Sequence, residues 1–174
     1  YVIDIDKASA DVKALLDAGT YEGIVVVDAD ISVPTLTTEI IQNEYGLISS
    51  SHSGTTANNN RNHNIRITCE KIDGLVLLPG QEFSFNDFIG RRTAEAGYLP
   101  AGTIQGNEIK EDYGGGICQV SSMIYQSVIK SNLEIIERWP HRWPSTYADE
   151  GTDAAVDYGS QDFHFRNNSN YPIA

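Results

Sequence analysis

The chain predicts an α+β fold in which one amphipathic helix packs on a mostly antiparallel sheet, with a small α+β segment ahead of both. Three observations carry this expectation. After Gly114-Gly115-Gly116, the apolar residues Val120, Met123, Ile124, Val128, Ile129 and Leu133 recur every three to four positions, the pattern of one buried helix face. Beyond that helix, Leu133 to Arg138, Thr146-Tyr147, Ala154 to Tyr158 and Asp162 to Arg166 read as short strands, the later ones separated by Gly151 and Gly159. The glycine-rich stretch between Gly90 and Gly106 reads as loop, the part of a fold that commonly carries binding groups.

In chain order, residues 1–48 form the small α+β segment. Asp6 or Ser9 starts a helix that carries Val12, Leu15 and Leu16 on one face and stops near Gly19. A strand is expected at Ile24 to Val27 and a second short helix at Thr37 to Ile41, after Pro34. So short a segment rarely builds a core of its own. Residues 49–62 are polar, with one alanine to bury, and are expected to be a linker or exposed loop. The main domain then runs over residues 63–174. Asn64 to Leu78 fits either a helix or a strand, with Leu75 to Leu78 running into the turn Pro79-Gly80, and Phe83 to Asn86 alternates as a half-buried strand does.

The net charge is −12, and residues 1–48 contribute nine acids and two bases to it. No basic stripe is present, so nucleic acid is excluded as a partner class, and amine-bearing ligands are favoured. No run reaches the length of a transmembrane helix, and no basic-then-apolar leader stands at Tyr1. A membrane is expected only through an anchor outside this sequence. A monomer is expected, and no cofactor. Metal binding is not expected, because CxxC, HExxH and ligand pairs at helical spacing are all missing.

Chemistry concentrates at Cys118. Three glycines lead into a cysteine in the first turn of a helix, where free N–H groups and the positive end of the helix dipole favour a thiolate and can hold an oxyanion. Glycines also permit positive φ and let a substrate approach without meeting a Cβ. Gly114, Gly115, Gly116, Gln119, Ser121 and Ser122 are therefore the candidate substrate-binding residues. Two plainer readings stand beside this one: a buried structural cysteine, and a disulfide between Cys118 and Cys69.

A nucleophilic thiol needs an imidazole and a group to orient it. Of the four histidines, His52 and His63 lie in or beside the polar stretch, and His164 alternates with Phe163 and Phe165 as an outward-facing strand residue. His141 lies in the stiff segment Trp139-Pro140-His141-Arg142-Trp143-Pro144, 23 residues after Cys118, a spacing that suits a helix, a turn and a returning strand. Asp153 follows 12 residues later and is the candidate orienting group. A histidine stacked between two tryptophans, and an aspartate in a turn beside Gly151-Thr152, are the alternatives.

Several of these motifs, taken in order, resemble the VanW family. They are Phe83 to Thr93, Gly97-Tyr98 and Ala101, Gly114 to Ser122, Glu137 to His141, Tyr147, Gly151 to Val156 and Phe165 to Asn168, and the resemblance covers residues 61–174. Residues 1–46 resemble, more weakly, the end of a peptidoglycan-binding module that often precedes VanW domains. The resemblance implies an L,D-transpeptidase, as some clostridial VanW-domain proteins are, acting on peptidoglycan stem peptides at the cell wall or the outer face of the cytoplasmic membrane. Cys118 would be its nucleophile and His141 its base. The family pattern includes an aspartate at Asp153 without a stated role, and a small residue other than cysteine at Cys69. The same order of Cys, His and Asp also suits a papain-like or transglutaminase-like peptidase of peptidoglycan. A cell-wall binding module with an inert Cys118, linked to glycopeptide resistance, is the non-enzymatic alternative.

Overall fold

The computed structural model describes residues 2–27, 29–30, 37–39, 45–105 and 108–174. The chain forms two compact units, residues 1–46 and 47–174.

In the first unit, β1 (Val2–Ile3) pairs antiparallel with β2 (Ala29–Asp30) around α1 (Ile5–Asp17). The Asp4 carboxylate accepts from the Lys7 N–H at 2.9 Å and caps α1, and Gly19, at φ +72°, follows its last turn. The amphipathic pattern of α1 is real, yet none of its residues is buried. Ile24 to Val27, expected as a strand, forms none, and the pairing falls on residues 29–30 instead. Thr38 and Glu39 are helical, while Ile40 and Ile41 lie outside the described residues.

The second unit is an α+β domain. Its helices are α2 (Asn59–Ile72), α3 (Phe85–Ile89) and α4 (Ile117–Lys130), and its main sheet is antiparallel in the order β3-β7-β6, from β3 (Glu82–Ser84), β6 (Glu134–Glu137) and β7 (His164–Arg166). A separate hairpin pairs β4 (Pro100–Gln105) with β5 (Glu108–Tyr113), so part of the expected loop region is a strand pair. Thr146-Tyr147 forms no strand, and Ala155 and Asp157 make only isolated bridges, to Trp139 and Gln161.

The ambiguity over residues 64–78 resolves as a helix that starts earlier than the pattern suggested. The Asn58 side chain accepts from the Arg61 N–H at 3.0 Å, which makes residues 59–62 the first turn of α2 and not the end of a linker. Residues 49–54 are tied down as well. The Ser49 hydroxyl donates to Ser127 O at 2.9 Å, Lys130 donates to Ser50 O at 2.9 Å, and Gln119 Nε2 donates to Ser53 Oγ at 2.6 Å. Polar composition here marks a strap hydrogen-bonded along α4.

Helix α4 sits on the sheet through a core that includes Phe83, Phe85, Val120, Val128, Phe163 and Phe165. The Phe163 and Phe165 rings stack at 5.6 Å, and Tyr125 meets Phe163 edge-on at 5.7 Å. The helix ends in a Schellman turn: Asn132 takes φ +55°, with Leu133 N–H donating to Val128 O at 3.1 Å and Asn132 N–H to Ile129 O at 3.2 Å. That reversal feeds the chain into β6. The buried face of α4 differs from the one its apolar spacing outlined, because Ile129 is exposed while Gln119, Ser121 and Ser122 are buried.

Candidate active site

Polar groups on the buried face of α4 explain how the distant candidates meet. Segment 153–156 runs beside the start of the helix and is clamped there: the Ser121 hydroxyl donates to Ala154 O at 2.7 Å, and Ala154 N–H donates to Ser122 Oγ at 2.9 Å. On its other side, Ala155 N–H donates to Trp139 O at 2.8 Å. One short segment therefore bridges the helix that bears Cys118 and the strand extension that bears His141.

The three sequence candidates converge on this bridge. The Asp153 Oδ2 atom accepts from the His141 backbone N–H at 2.6 Å and lies 2.7 Å from His141 Nδ1. Its other oxygen accepts from Arg138 Nη2 at 2.7 Å, and Arg138 Nε donates to the Asp153 carbonyl at 2.7 Å. Burial opposes the Asp153 carboxylate, but the two hydrogen bonds from His141 and the Arg138 charge outweigh it and hold its pKa below the usual value. An ionised Asp153 keeps the proton on Nδ1, which leaves Nε2 as the nitrogen able to accept a proton. Asp153 is bonded to His141 and Arg138 and is not a turn residue.

Burial alone would disfavour the His141 imidazolium. Hydrogen bonding and charge at Cys118, followed by the same terms from Asp153, overcome this and raise its pKa above 6.5. Both Cys118 and the Asp153 carboxylate thus favour the charged imidazole. Tyr147 packs edge-on against it at 5.9 Å, with its hydroxyl 3.1 Å from Nε2. Burial, with Cys118 and Asp153 nearby, pushes the Tyr147 hydroxyl far up, so it stays protonated and donates to the neutral imidazole. The two tryptophans that flank His141 in sequence are exposed, so His141 is not stacked between them.

Cys118 is partly buried, and its thiol lies 3.4 Å from Val156 O. Both cysteines are free, which removes the disulfide. In the first turn, Ile117 N–H is committed to Gly114 O and Gln119 N–H to Gly116 O, whereas the Cys118 N–H has no acceptor among the described residues. That donor lies next to the sulfur, where an oxyanion would form.

The residues expected to bind substrate divide differently. Gly114 and Gly116 do take positive φ, +84° and +105°, but the space their side chains would fill is occupied by protein. A Cβ at Gly114 would lie 2.8 Å from the Arg92 side chain, one at Gly115 2.7 Å from the Ala101 backbone, and one at Gly116 2.7 Å from Arg61. The three glycines serve close packing under the nucleophile turn, not the approach of a ligand. Ser121 and Ser122 are wholly buried and hold the bridging segment, and Gln119 anchors the 49–54 strap. His63 Nε2 lies 2.9 Å from Gly97 O, His164 pairs with Glu82, and His52 is exposed, so none of them reaches the site.

The sequence pattern described as "VanW like protein" matches residues 60–174. The chain belongs to the VanW family. It is 42% identical over 118 residues to YoaR of Bacillus subtilis (strain 168), a protein described as uncharacterized, covering 68% of this chain and 39% of YoaR. It is 28% identical over 115 residues to the vancomycin B-type resistance protein VanW of Enterococcus faecalis (strain ATCC 700802 / V583), covering 63% of this chain and 42% of that protein. The chain therefore spans about two fifths of the length of these relatives. No solved structure matches it.

The whole Cys118, His141 and Asp153 constellation falls inside the VanW region. Sequence reasoning left Arg138 and Tyr147 without a role, although both lie within six residues of His141. A buried carboxylate needs a cation, and Arg138 is the arginine nearest His141 on its N-terminal side; no comparable signal singles out Tyr147. Among the described residues no cluster of His, Cys, Asp and Glu is arranged to hold a metal ion, and no helix is long and apolar enough to cross a membrane.

Proposed function

We propose that the VanW domain is a cysteine acyltransferase, an L,D-transpeptidase that joins peptidoglycan stem peptides through a thioester on Cys118. The observation that carries this reading is the His141 imidazole fixed by the Asp153 carboxylate on the segment that also meets the Cys118 thiol at Val156 O, with Cys118 among the groups that raise the imidazole's pKa. A structural cysteine has no use for an oriented, charge-paired imidazole. The family resemblance supplies the substrate class, and the name of the enterococcal relative, a vancomycin B-type resistance protein, agrees with action at the cell wall.

The reaction has two acyl transfers. Cys118 gives its proton to His141 Nε2 as the sulfur attacks the carbonyl of the diaminopimelate residue in a donor tetrapeptide. The Cys118 N–H faces the oxyanion. Collapse breaks the amide bond, His141 returns the proton to the leaving amine, and D-alanine departs. In the second half, the side-chain amine of an acceptor stem attacks the thioester, its proton passes to His141, and the carbon–sulfur bond breaks. The proton then returns to the Cys118 sulfur, which leaves an amide between two diaminopimelate residues and a regenerated thiol.

The test incubates the purified protein with stem tetrapeptides and follows products by mass spectrometry. Cross-linked dimers with release of D-alanine are expected. Tripeptide without dimer would make the domain a peptidase, and an unchanged substrate would leave a binding module.

A further inference from the structure

In a chain with 24 acids and 12 Lys and Arg, a half-buried arginine without a carboxylate partner is unexpected. Arg66, Arg138 and Arg166 each pair with an acid. Arg61 does not. Among the described residues its guanidinium makes no hydrogen bond or ion pair; it lies 5.8 Å from the centre of the Tyr147 ring, and Nη1 is shielded from solvent with no acceptor. Arg92 is similar, with one bond from Nη2 to Asn86 Oδ1 at 2.7 Å and with Nε and Nη1 buried and unpartnered. Burial lowers the Arg92 pKa, which marks how poorly solvated this cation is.

Both arginines border the nucleophile. The Arg61 stem packs under Gly116 and the Arg92 stem under Gly114, the two ends of the turn that opens α4. Arg92 feels the charges of Tyr98, Cys118, Asp162 and Asp157, and Arg61 that of the Tyr147 hydroxyl that meets His141. Buried donors without acceptors are rare, and guanidinium groups match carboxylates in charge and geometry.

We propose that Arg61, with Arg92 behind it, recognises a free carboxylate on the donor peptide beside the scissile amide. This inference rests on the acyltransferase reading and adds to it a requirement on the substrate: a peptide acid and not a peptide amide. Two carboxylates of the stem share this chemistry, the one at its C-terminus and the one at the far end of the diaminopimelate side chain.

The first test needs no peptide. In a Cys69→Ser background, alkylation of Cys118 is timed with iodoacetate and with its neutral counterpart iodoacetamide, and only the ratio of the two rates is used. Arg61→Gln is expected to lower the ratio of iodoacetate to iodoacetamide about tenfold, with Arg61→Lys restoring part of it. Arg92→Gln is expected to lower it too; if that variant fails to fold, Arg61→Gln decides alone. An unchanged ratio in a folded Arg61→Gln protein overturns the proposal. The second test compares KM for a stem tetrapeptide, its C-terminal amide and the tetrapeptide amidated at the diaminopimelate side chain. The amide whose penalty disappears in Arg61→Gln names the carboxylate, and equal KM values for all three in the unsubstituted protein overturn the proposal. A shifted alkylation ratio with no peptide turned over rejects the transpeptidase and keeps the carboxylate site. A flat ratio with normal turnover does the reverse.

Discussion

Cys69 and Cys118 are both free thiols on helices of the same domain, yet they sit at opposite helix ends. Cys69 lies in the last turn of α2, where its neighbours are carbonyl oxygens and the Glu70 side chain; partial burial, and then the Glu70 charge, push its thiol pKa up. Cys118 lies in the first turn of α4, with no acceptor for its own N–H among the described residues, with segment 153–156 against its thiol and residues 138–141 bonded to that segment. The difference teaches that a thiol's chemical setting comes from the end of the helix it occupies and from the segments brought to it, and not from exposure. Cys69 is the more exposed of the two.

The largest expected effect tests that contrast directly. Cys118→Ala is expected to lower the rate of D-alanine release at least about 10⁴-fold and to abolish the acyl-enzyme mass, since no other group replaces the nucleophile. Cys69→Ser should leave both unchanged. An acyl adduct that persists without Cys118, or vanishes without Cys69, would reverse the assignment.

How much of this was legible in sequence depends on the range of the forces involved. The first-turn place of Cys118 and the pairing of His141 with Asp153 were readable because first-turn position, prolines around an imidazole and a following acid are local signals. Helix α4 and strand β6 were readable for the same reason. What stayed hidden was long-range. Apolar spacing placed Ile129 on the buried face and left out Ser121 and Ser122, because nothing local says that a segment 32 to 33 residues later will cover the helix. The glycines showed that their backbone needs positive φ, but not that Arg92, Ala101 and Arg61 fill the space beneath them. Composition likewise read residues 49–62 as a linker or exposed loop; residues 49–58 are loop, but composition did not show that Asn58 caps a helix there or that Lys130 and Gln119 hold the strap. The first unit shows the same limit, because α1 has its amphipathic pattern and buries nothing.

Next in size is the group that makes the Cys118 side of the comparison work. Asp153→Asn keeps the shape but removes the charge that fixes the Nδ1 proton and helps raise His141, and the rate is expected to fall about 10³- to 10⁴-fold. The sign of the pH effect follows from the same interactions. His141 is raised in part by Asp153, so its loss lowers the His141 pKa, and the limb of the kcat/KM profile that reports His141 should move to lower pH. Stability has two opposed parts. The raised His141 stabilises the fold below pH 6.5, and that contribution is lost as pH rises through its higher folded value. The lowered Asp153 stabilises it above pH 3.8, and that contribution is lost as pH falls through its lower folded value. Melting temperatures measured from pH 3 to 8 should therefore depend less on pH in Asp153→Asn. An unmoved kcat/KM profile would remove Asp153 from the imidazole's control.

The smallest effect belongs to Tyr147. Its hydroxyl is 3.1 Å from His141 Nε2, the atom that must exchange protons with Cys118, so it either holds the ring in place or takes part in the transfer. Its strongly raised pKa keeps the phenol neutral across the working range, and a hydroxyl can donate to the neutral imidazole and accept from the charged one. It therefore favours neither protonation state. Tyr147→Phe should lower kcat by less than about tenfold, the worth of one neutral hydrogen bond, and leave the pH profile in place. The edge-on ring contact with His141 survives the substitution. A loss as deep as that in Asp153→Asn, or a displaced pH limb, would put the phenol among the groups that carry the proton, and the Cys118 end of α4 would then owe its chemistry to four side chains where three were enough.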